Sequence, residues 1–226
     1  MFLEFHFWRY FFTRGYLLEN LAETETIRGF RKRVGVVLVC TILLYILMDV
    51  WGMTTTSLTS IYVLGFLDTY AIARWVSLFA IVLWALVYFS FHFFGVSYLL
   101  HLLTKIPVRI AAVMQLYVIA TLLIEKTLLF FVFALVGYTT HLSFLSFGPL
   151  AAQFLDHSYF HYFFNQFSVF TGVVIAIQLQ FLRRFTTVST KVLLVILIGM
   201  TILFAAVVAL ISVLPIDRLL PGGALG

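Results

Sequence analysis

Cysteine, proline and charge are all scarce in this chain. Its one cysteine, Cys40, excludes a disulfide framework and any site built on paired thiolates. Four prolines in 226 residues leave long stretches free to run as uninterrupted helix. Charged residues make up 10% of the sequence, against about a quarter in a soluble domain, which excludes an ordinary water-facing surface. The sequence also lacks a glycine-rich phosphate loop, a nucleophile elbow, an HExxH pair and a paired-carboxylate motif. No catalytic residue, cofactor or metal is predicted.

Apolar bulk takes the place of charge. Hydrophobic residues are 63% of the chain and the mean hydropathy is +1.11. Five stretches reach the roughly 20 residues that a hydrocarbon core requires: Val34–Trp51, Trp75–Leu100, Val108–Gly137, Phe160–Leu182 and Val192–Leu214. They are continuously apolar, whereas barrel strands alternate over about ten positions, so the expected fold is an all-α, polytopic membrane helical bundle with five transmembrane helices.

Basic residues set the threading. Arg9, Arg14, Arg28, Arg31, Lys32 and Arg33 precede the first span, Lys105 and Arg109 join the second to the third, and Arg183, Arg184 and Lys191 join the fourth to the fifth. The positive-inside rule puts these three segments on the cytoplasmic side, with the C-terminus external. Three regions result: a cytoplasmic interfacial segment over 1–33, a five-helix domain over 34–214 and an external tail over 215–226. The net charge of +5 clusters beside spans, which fits lipid headgroups and gives no reason to expect nucleic acid.

The first residues are too interrupted by Glu4, His6 and Arg9 for a cleavable signal. An amphipathic interfacial helix is expected instead, with Phe2, Phe5, Trp8, Phe12 and Tyr16 in the bilayer surface and Arg9 and Arg14 on phosphates. Asn20 and Glu23 resemble a helix-start box, predicting a second short helix over Leu21 to Lys32. The apolar link Gly52 to Arg74 is expected to hold a short helix or to dip into the bundle. In the link Tyr138 to Tyr159, a helix is expected to start at Pro149. Ser168, Gly172 and Ala176 on span four, and Ala205 and Ala209 on span five, recur every four residues. They predict close antiparallel packing of the two spans, with a homodimer seam as the alternative.

Polar residues inside the spans carry what chemistry there is. Glu125 and Lys126 interrupt span three, and the threading puts them on the same side as Asp49, Arg74, Asp156, His157, His161 and Asn165. One reading is an outer polar basin, neutralised by pairing Lys126 with Asp49 or Asp156, or Glu125 with Arg74; the other is dispersed interfacial side chains with no common site. His157 and His161 have metal-ligand spacing, but a third ligand from Asp156, His141 or Glu125 would be needed. His92 reads as a buried histidine bonded to a neighbouring helix, and Gln115, Gln178 and Gln180 as interhelical hydrogen-bonding groups.

The cytoplasmic start and three segments resemble the Yip-type five-span membrane proteins in their bacterial form: LLENLAETETIRGFRKRVGVVLV, HLLTKIPVRIAAVMQLYVIATLL and FNQFSVFTGVVIAIQLQFLRRFTTVSTKVLLVIL. The likeness runs from about Tyr16 to Leu214. It implies a non-enzymatic, multi-pass helper of the plasma membrane, in some relatives working beside an ATP-driven export complex. The Tyr-Gly-Pro signature linked to small GTPase binding in eukaryotic members is missing, so that activity is not implied, and no functional residue is carried over. The expected function is therefore a scaffold or accessory subunit contacting the lipid bilayer and other integral membrane proteins. The alternatives are a transporter or channel subunit, which requires a continuous polar path through His92 and Gln115 or Gln178, and a metal-dependent membrane enzyme using Asp156, His157 and His161.

Overall fold

A computed structural model describes residues 2–4, 18, 19, 21 and 26–214. The helices are α1 (Phe30–Trp51), α2 (Thr59–Val63), α3 (Leu67–Ser90), α4 (Ser97–Thr104), α5 (Val108–Val136), α6 (Gly148–Phe154), α7 (Ser158–Asn165), α8 (Val169–Phe185) and α9 (Thr190–Val213). A π-helical segment, Phe91–Val96, joins α3 to α4 without a break.

Four helices are long and apolar enough to cross a membrane: α1, the 38-residue run Leu67–Thr104, α5 and α9. The chain is an α-helical membrane protein. At 1.5 Å per residue the second run is about 57 Å long, nearly twice a hydrocarbon core, so its ends project beyond the apolar layer. It starts earlier than Trp75 because Gly65, at φ 82°, turns the chain and Asp68 sits in the first turn, where an acidic side chain favours the positive helix end. Arg74 is therefore on a helix and not in a link.

The expected crossing Phe160–Leu182 is broken. Helix α7 ends at Asn165, and α8 begins at Val169 behind Ser168. Ser168 Oγ accepts from the Thr171 amide at 3.3 Å while Thr171 Oγ1 accepts from the Ser168 amide at 3.1 Å, a reciprocal cap that starts a new helix. The α6–α7 pair is a helical hairpin closed at its base, where Phe147 donates to the Phe167 carbonyl at 3.1 Å and Val169 to that of Leu145 at 3.3 Å. As expected, Pro149 lies in the first turn of α6, where its missing N–H costs nothing. The first link carries α2, also as expected, with Tyr62 and Val63 exposed.

Helix α5 is the centre of the bundle. It contacts α1, α4, the π segment and α8, and from Ile110 to Leu123 it is buried on nearly every side, which suits a sequence apolar all round. Helices α8 and α9 form the expected antiparallel pair, and α9 also packs on α7. Ala205 and Ala209 are buried in that packing. Gly172 and Ala176 are not: both face outward, and a Cβ on Gly172 would meet nothing within 4 Å. The predicted smooth face on α8 is thus turned away from α9. The pair meets through larger residues instead, Ile177 and Phe181 against Leu193 and Leu197, all buried.

Alternation of helix direction gathers Arg31, Lys32, Arg33, Lys105, Arg109, Arg183, Arg184 and Lys191 at one end, all exposed. The turn from α4 to α5 at that end holds Lys105 at φ 59° and is braced by His101 Nδ1, which donates to the Ile106 carbonyl at 2.7 Å. Near the N-terminus, Phe2–Glu4 pairs in parallel with Thr26–Arg28, and Gly29 at φ 83° then leads into α1. This corrects two expectations, since Phe2 is in a strand and Leu21 to Lys32 is not one helix. Leu21 is buried in the core beside Leu18 and Ile27. Phe5, Trp8, Arg9, Phe12, Arg14 and the tail 215–226 lie outside the described residues.

Candidate functional site

The residues of the predicted outer basin fall into separate groups with different partners. Asp49, fully buried near the end of α1, accepts at Oδ1 from Thr54 at 2.7 Å and from Ser77 at 2.8 Å. Arg74 lies 3.8 Å from Asp49 Oδ2, donates twice to the Asp49 carbonyl at 3.2 Å and donates once to Thr55 Oγ1 at 2.7 Å. Asp49 thus pairs with Arg74 and not with Lys126. The cluster fastens α1 to α3 and to the link between them.

Lys126 points elsewhere. Its ammonium sits 5.4 Å from the Tyr45 ring centre and 5.5 Å from that of Tyr88, a cation held by two aromatic faces. Among the described residues the carboxylate beside Arg74 is that of Asp49, and no ion pair joins Arg74 to Glu125. Asn165 closes the hairpin base, accepting at Oδ1 from the Ser143 amide at 2.7 Å and from Ser146 Oγ at 2.8 Å. Gly148 must be glycine there, because a Cβ would come within 2.8 Å of Asn165 Oδ1. Asp156 and His157 are exposed at the hairpin tip, and His161 Nε2 donates to the Leu155 carbonyl at 2.5 Å. Among the described residues no three His, Cys, Asp or Glu side chains are placed to hold a metal ion.

The residues that do converge are others. His92, Gln115, Gln166, Thr171, Gln178 and Thr201 line one cavity of about 200 Å³ between the π segment, α5, α8 and α9. His92 is not bonded across to a neighbouring helix. Its ring lies 4.6 Å from that of Tyr88, one turn earlier on the same run, so it stands between the cavity and the Lys126 cluster. A π turn widens the helix by a residue and is frequent where a side chain must be re-aimed. Phe91 and Phe204, 5.5 Å apart edge to face, also line the cavity.

Gln115 lies in the wall of this cavity. Its side chain is fully buried, and among the described residues neither Oε1 nor Nε2 has a hydrogen-bond partner. The expected interhelical bond is absent. An unsatisfied buried amide costs about 1–3 kcal/mol for each group, and more where no water can reach it. Other intramembrane hydroxyls avoid that cost by bonding back one turn: Thr41 to the Val37 carbonyl at 2.8 Å, Thr121 to Tyr117 at 2.9 Å, Thr201 to Leu197 at 2.9 Å. Gln166 does the same, donating to the Tyr162 carbonyl at 3.3 Å, whereas Gln115 does not. One water occupies about 15 Å³, so the cavity beside it has room for several waters or a small molecule.

Gln115 and Gln178 each lie seven residues from the basic end of their helix, about 10 Å by helical rise. Below them Ile110, Ala111, Phe181, Leu182 and Leu193 are buried against one another, so the cavity stops there. The continuous polar path required of a channel is not present in this conformation. Fold and cavity together define a polytopic helical membrane protein with a cavity among its helices lined by both polar and apolar side chains. No protein-family model, curated protein or solved structure matches this chain.

Proposed function

We propose that this protein binds a small polar solute inside the bilayer, as a non-enzymatic binding or transport subunit of the plasma membrane. The observation that carries the reading is the cavity of about 200 Å³ between the π segment, α5, α8 and α9, whose wall brings His92, Gln166, Thr171, Gln178 and Thr201 together inside the bundle. A closed floor below that level favours a chamber entered from one side over an open pore.

In this reading α8, at 17 residues or about 25 Å, is a short fourth crossing, giving five in all. The basic end is cytoplasmic, as the positive-inside rule requires. Reporter fusions after Arg184 are then active in the cytoplasm and those at Tyr138 outside.

Solvent access tests the chamber directly. With Cys40 replaced by serine, Thr201→Cys places a thiol in the cavity, whereas Leu203→Cys places one on a surface that is 57% exposed and faces lipid. Thiols react as thiolates, which need water, so a hydroxyethyl methanethiosulfonate should modify the first at least about tenfold faster in membranes. Equal rates would remove the reading.

A second reading, the scaffold or accessory subunit, is favoured by one observation. The Gly172 and Ala176 face of α8 is uncovered and smooth enough for another membrane helix to approach. The Yip-type likeness and work beside an export complex belong to this reading. Gly172→Leu should then abolish co-purification of a stoichiometric membrane partner in mild detergent, and wild type purifying alone would count against it.

A further inference from the structure

The basic end carries more than an orientation signal. We propose that the two turns joining α4 to α5 and α8 to α9 form a binding surface for the headgroup of an anionic phospholipid in the leaflet at that end.

Four cations on these turns are left without a carboxylate. Lys105 lies on the first turn, and Arg183, Arg184 and Lys191 flank the second. All four are exposed, and among the described residues none of them makes an ion pair or a side-chain hydrogen bond. Arg74 and Lys126, by contrast, are held by Asp49 and by two tyrosine rings. The carboxylates of Asp49, Asp68 and Glu125 lie in the opposite halves of their helical runs. The charge on this surface is open to an outside anion.

Packing brings the two turns together and fixes their shape. Helix α5 contacts α8, α8 contacts α9, and Ile106 on the first turn is buried in the same core as Leu182 and Leu193 beside the second. The Lys105 amide donates to the His101 carbonyl at 2.9 Å. Lys105 holds φ at 59°, the left-handed region where glycine is the ordinary helix-ending residue, and among the described residues it is the only non-glycine with a positive φ. Strained residues of this kind gather where a particular side chain is needed.

Depth decides which anion fits. Residues 105–107 are all that separate α4 from α5, and 186–189 all that separate α8 from α9. Turns this short cannot lift their cations clear of the lipid, so the charges stay at headgroup level. Beside them Leu102, Leu103, Val108 and Val192 are about half exposed and face hydrocarbon. A molecule with an anionic head and acyl tails matches both surfaces, whereas inorganic phosphate or a soluble polyanion matches the charge alone. A zwitterionic lipid brings its own ammonium, which these cations repel.

The test uses the full-length protein, delipidated in detergent, and native mass spectrometry with phosphatidylglycerol and phosphatidylcholine of the same acyl chains. Wild type is expected to bind phosphatidylglycerol at least about tenfold more tightly. Lys105→Gln, Arg183→Gln, Arg184→Gln and Lys191→Gln together should bring the two lipids within about threefold of each other. The same loss of four charges by Arg28→Gln, Arg31→Gln, Lys32→Gln and Arg33→Gln should leave a preference above about fivefold. Lys105→Gly covers the case in which the fourfold turn variant does not fold. It relieves the left-handed backbone, so the thermal midpoint of the lipid-free protein should hold or rise while the preference falls at least about twofold. The proposal is overturned if wild type shows no preference, if the turn variant keeps it, if the N-terminal variant loses it equally, or if Lys105→Gly binds as wild type does. It is overturned as well if equimolar sn-glycerol 3-phosphate displaces the lipid, since recognition would then need no acyl tail.

Discussion

Removing Arg74 should damage this protein more than removing the charge of its partner, and the geometry says by how much. Arg74→Met deletes the guanidinium 3.8 Å from Asp49 Oδ2, two bonds to the Asp49 carbonyl and one to Thr55. It leaves a fully buried carboxylate held only by the hydroxyls of Thr54 and Ser77. Breaking a buried ion pair from one side costs about 3–5 kcal/mol; the Arg74 side chain is 24% exposed, and screening there lowers the expectation to about 2–4 kcal/mol. Asp49→Asn is gentler. The amide oxygen still accepts from Thr54 and Ser77, and Arg74 keeps its bonds to the backbone and to Thr55, so the loss is about 1 kcal/mol.

The two changes should not add. Once Asp49→Asn has removed the buried charge, Arg74→Met has less to expose, and the double variant should be more stable than the sum by about 1–2 kcal/mol. SDS titration followed by tryptophan fluorescence reads this locally, because Trp51 and Trp75 flank the cluster. The reasoning is refuted if Arg74→Met is no worse than Asp49→Asn, or if both match Val76→Ala on the lipid-facing side of α3.

Further expectations follow from the other clusters. Gly148→Ala drives a methyl against the backbone and side chain of Asn165 and should lower the thermal midpoint by the equivalent of about 1–3 kcal/mol. Gly172→Ala meets open space and should be neutral or stabilising by about 0.5–1 kcal/mol; a loss of stability would mean that the face is covered. A double-mutant cycle on Lys126→Met and Tyr45→Leu should show a coupling of about 0.5–2 kcal/mol, and strict additivity would remove the cation–aromatic contact. Asn165→Ala should speed hydrogen exchange at the Ser143 amide, its direct donor, while the amides of α5 hold their protection.

Hydropathy made most of the helices legible, because a bilayer demands length and continuity and both are one-dimensional properties. It failed at Phe160–Leu182 for the same reason: Asn165 and Gln166 are not polar enough to interrupt an averaged window. The signal was Ser168 with Thr171 three residues on, a helix-start pair inside an apparent span. Gly65 and Asp68 similarly marked the true start of α3. The basin misled because threading gives the order of depth and says nothing about azimuth. Lys126 and Arg74 were grouped by side, yet one faces Tyr45 and Tyr88 and the other Asp49. The π segment had no signature, and without it the direction of His92 could not be read.

Gln115 is an exception to how the other polar groups are satisfied. In hydrocarbon every polar atom needs a partner within reach of its own side chain, so short hydroxyls turn back to the preceding turn and long cations reach a carboxylate or an aromatic face. Thr41, Thr121 and Thr201 take the first route, Arg74 and Lys126 the second. Gln115 has neither, being fully buried with no partner for either polar atom among the described residues. A leucine of nearly the same volume would remove that cost and extend the apolar floor formed by Ile110 and Phe181. Gln115→Leu should therefore stabilise the protein by about 1–3 kcal/mol. The thermal midpoints of the two proteins read the sign, and a variant less stable than wild type would mean that the Gln115 amide is satisfied in the packing.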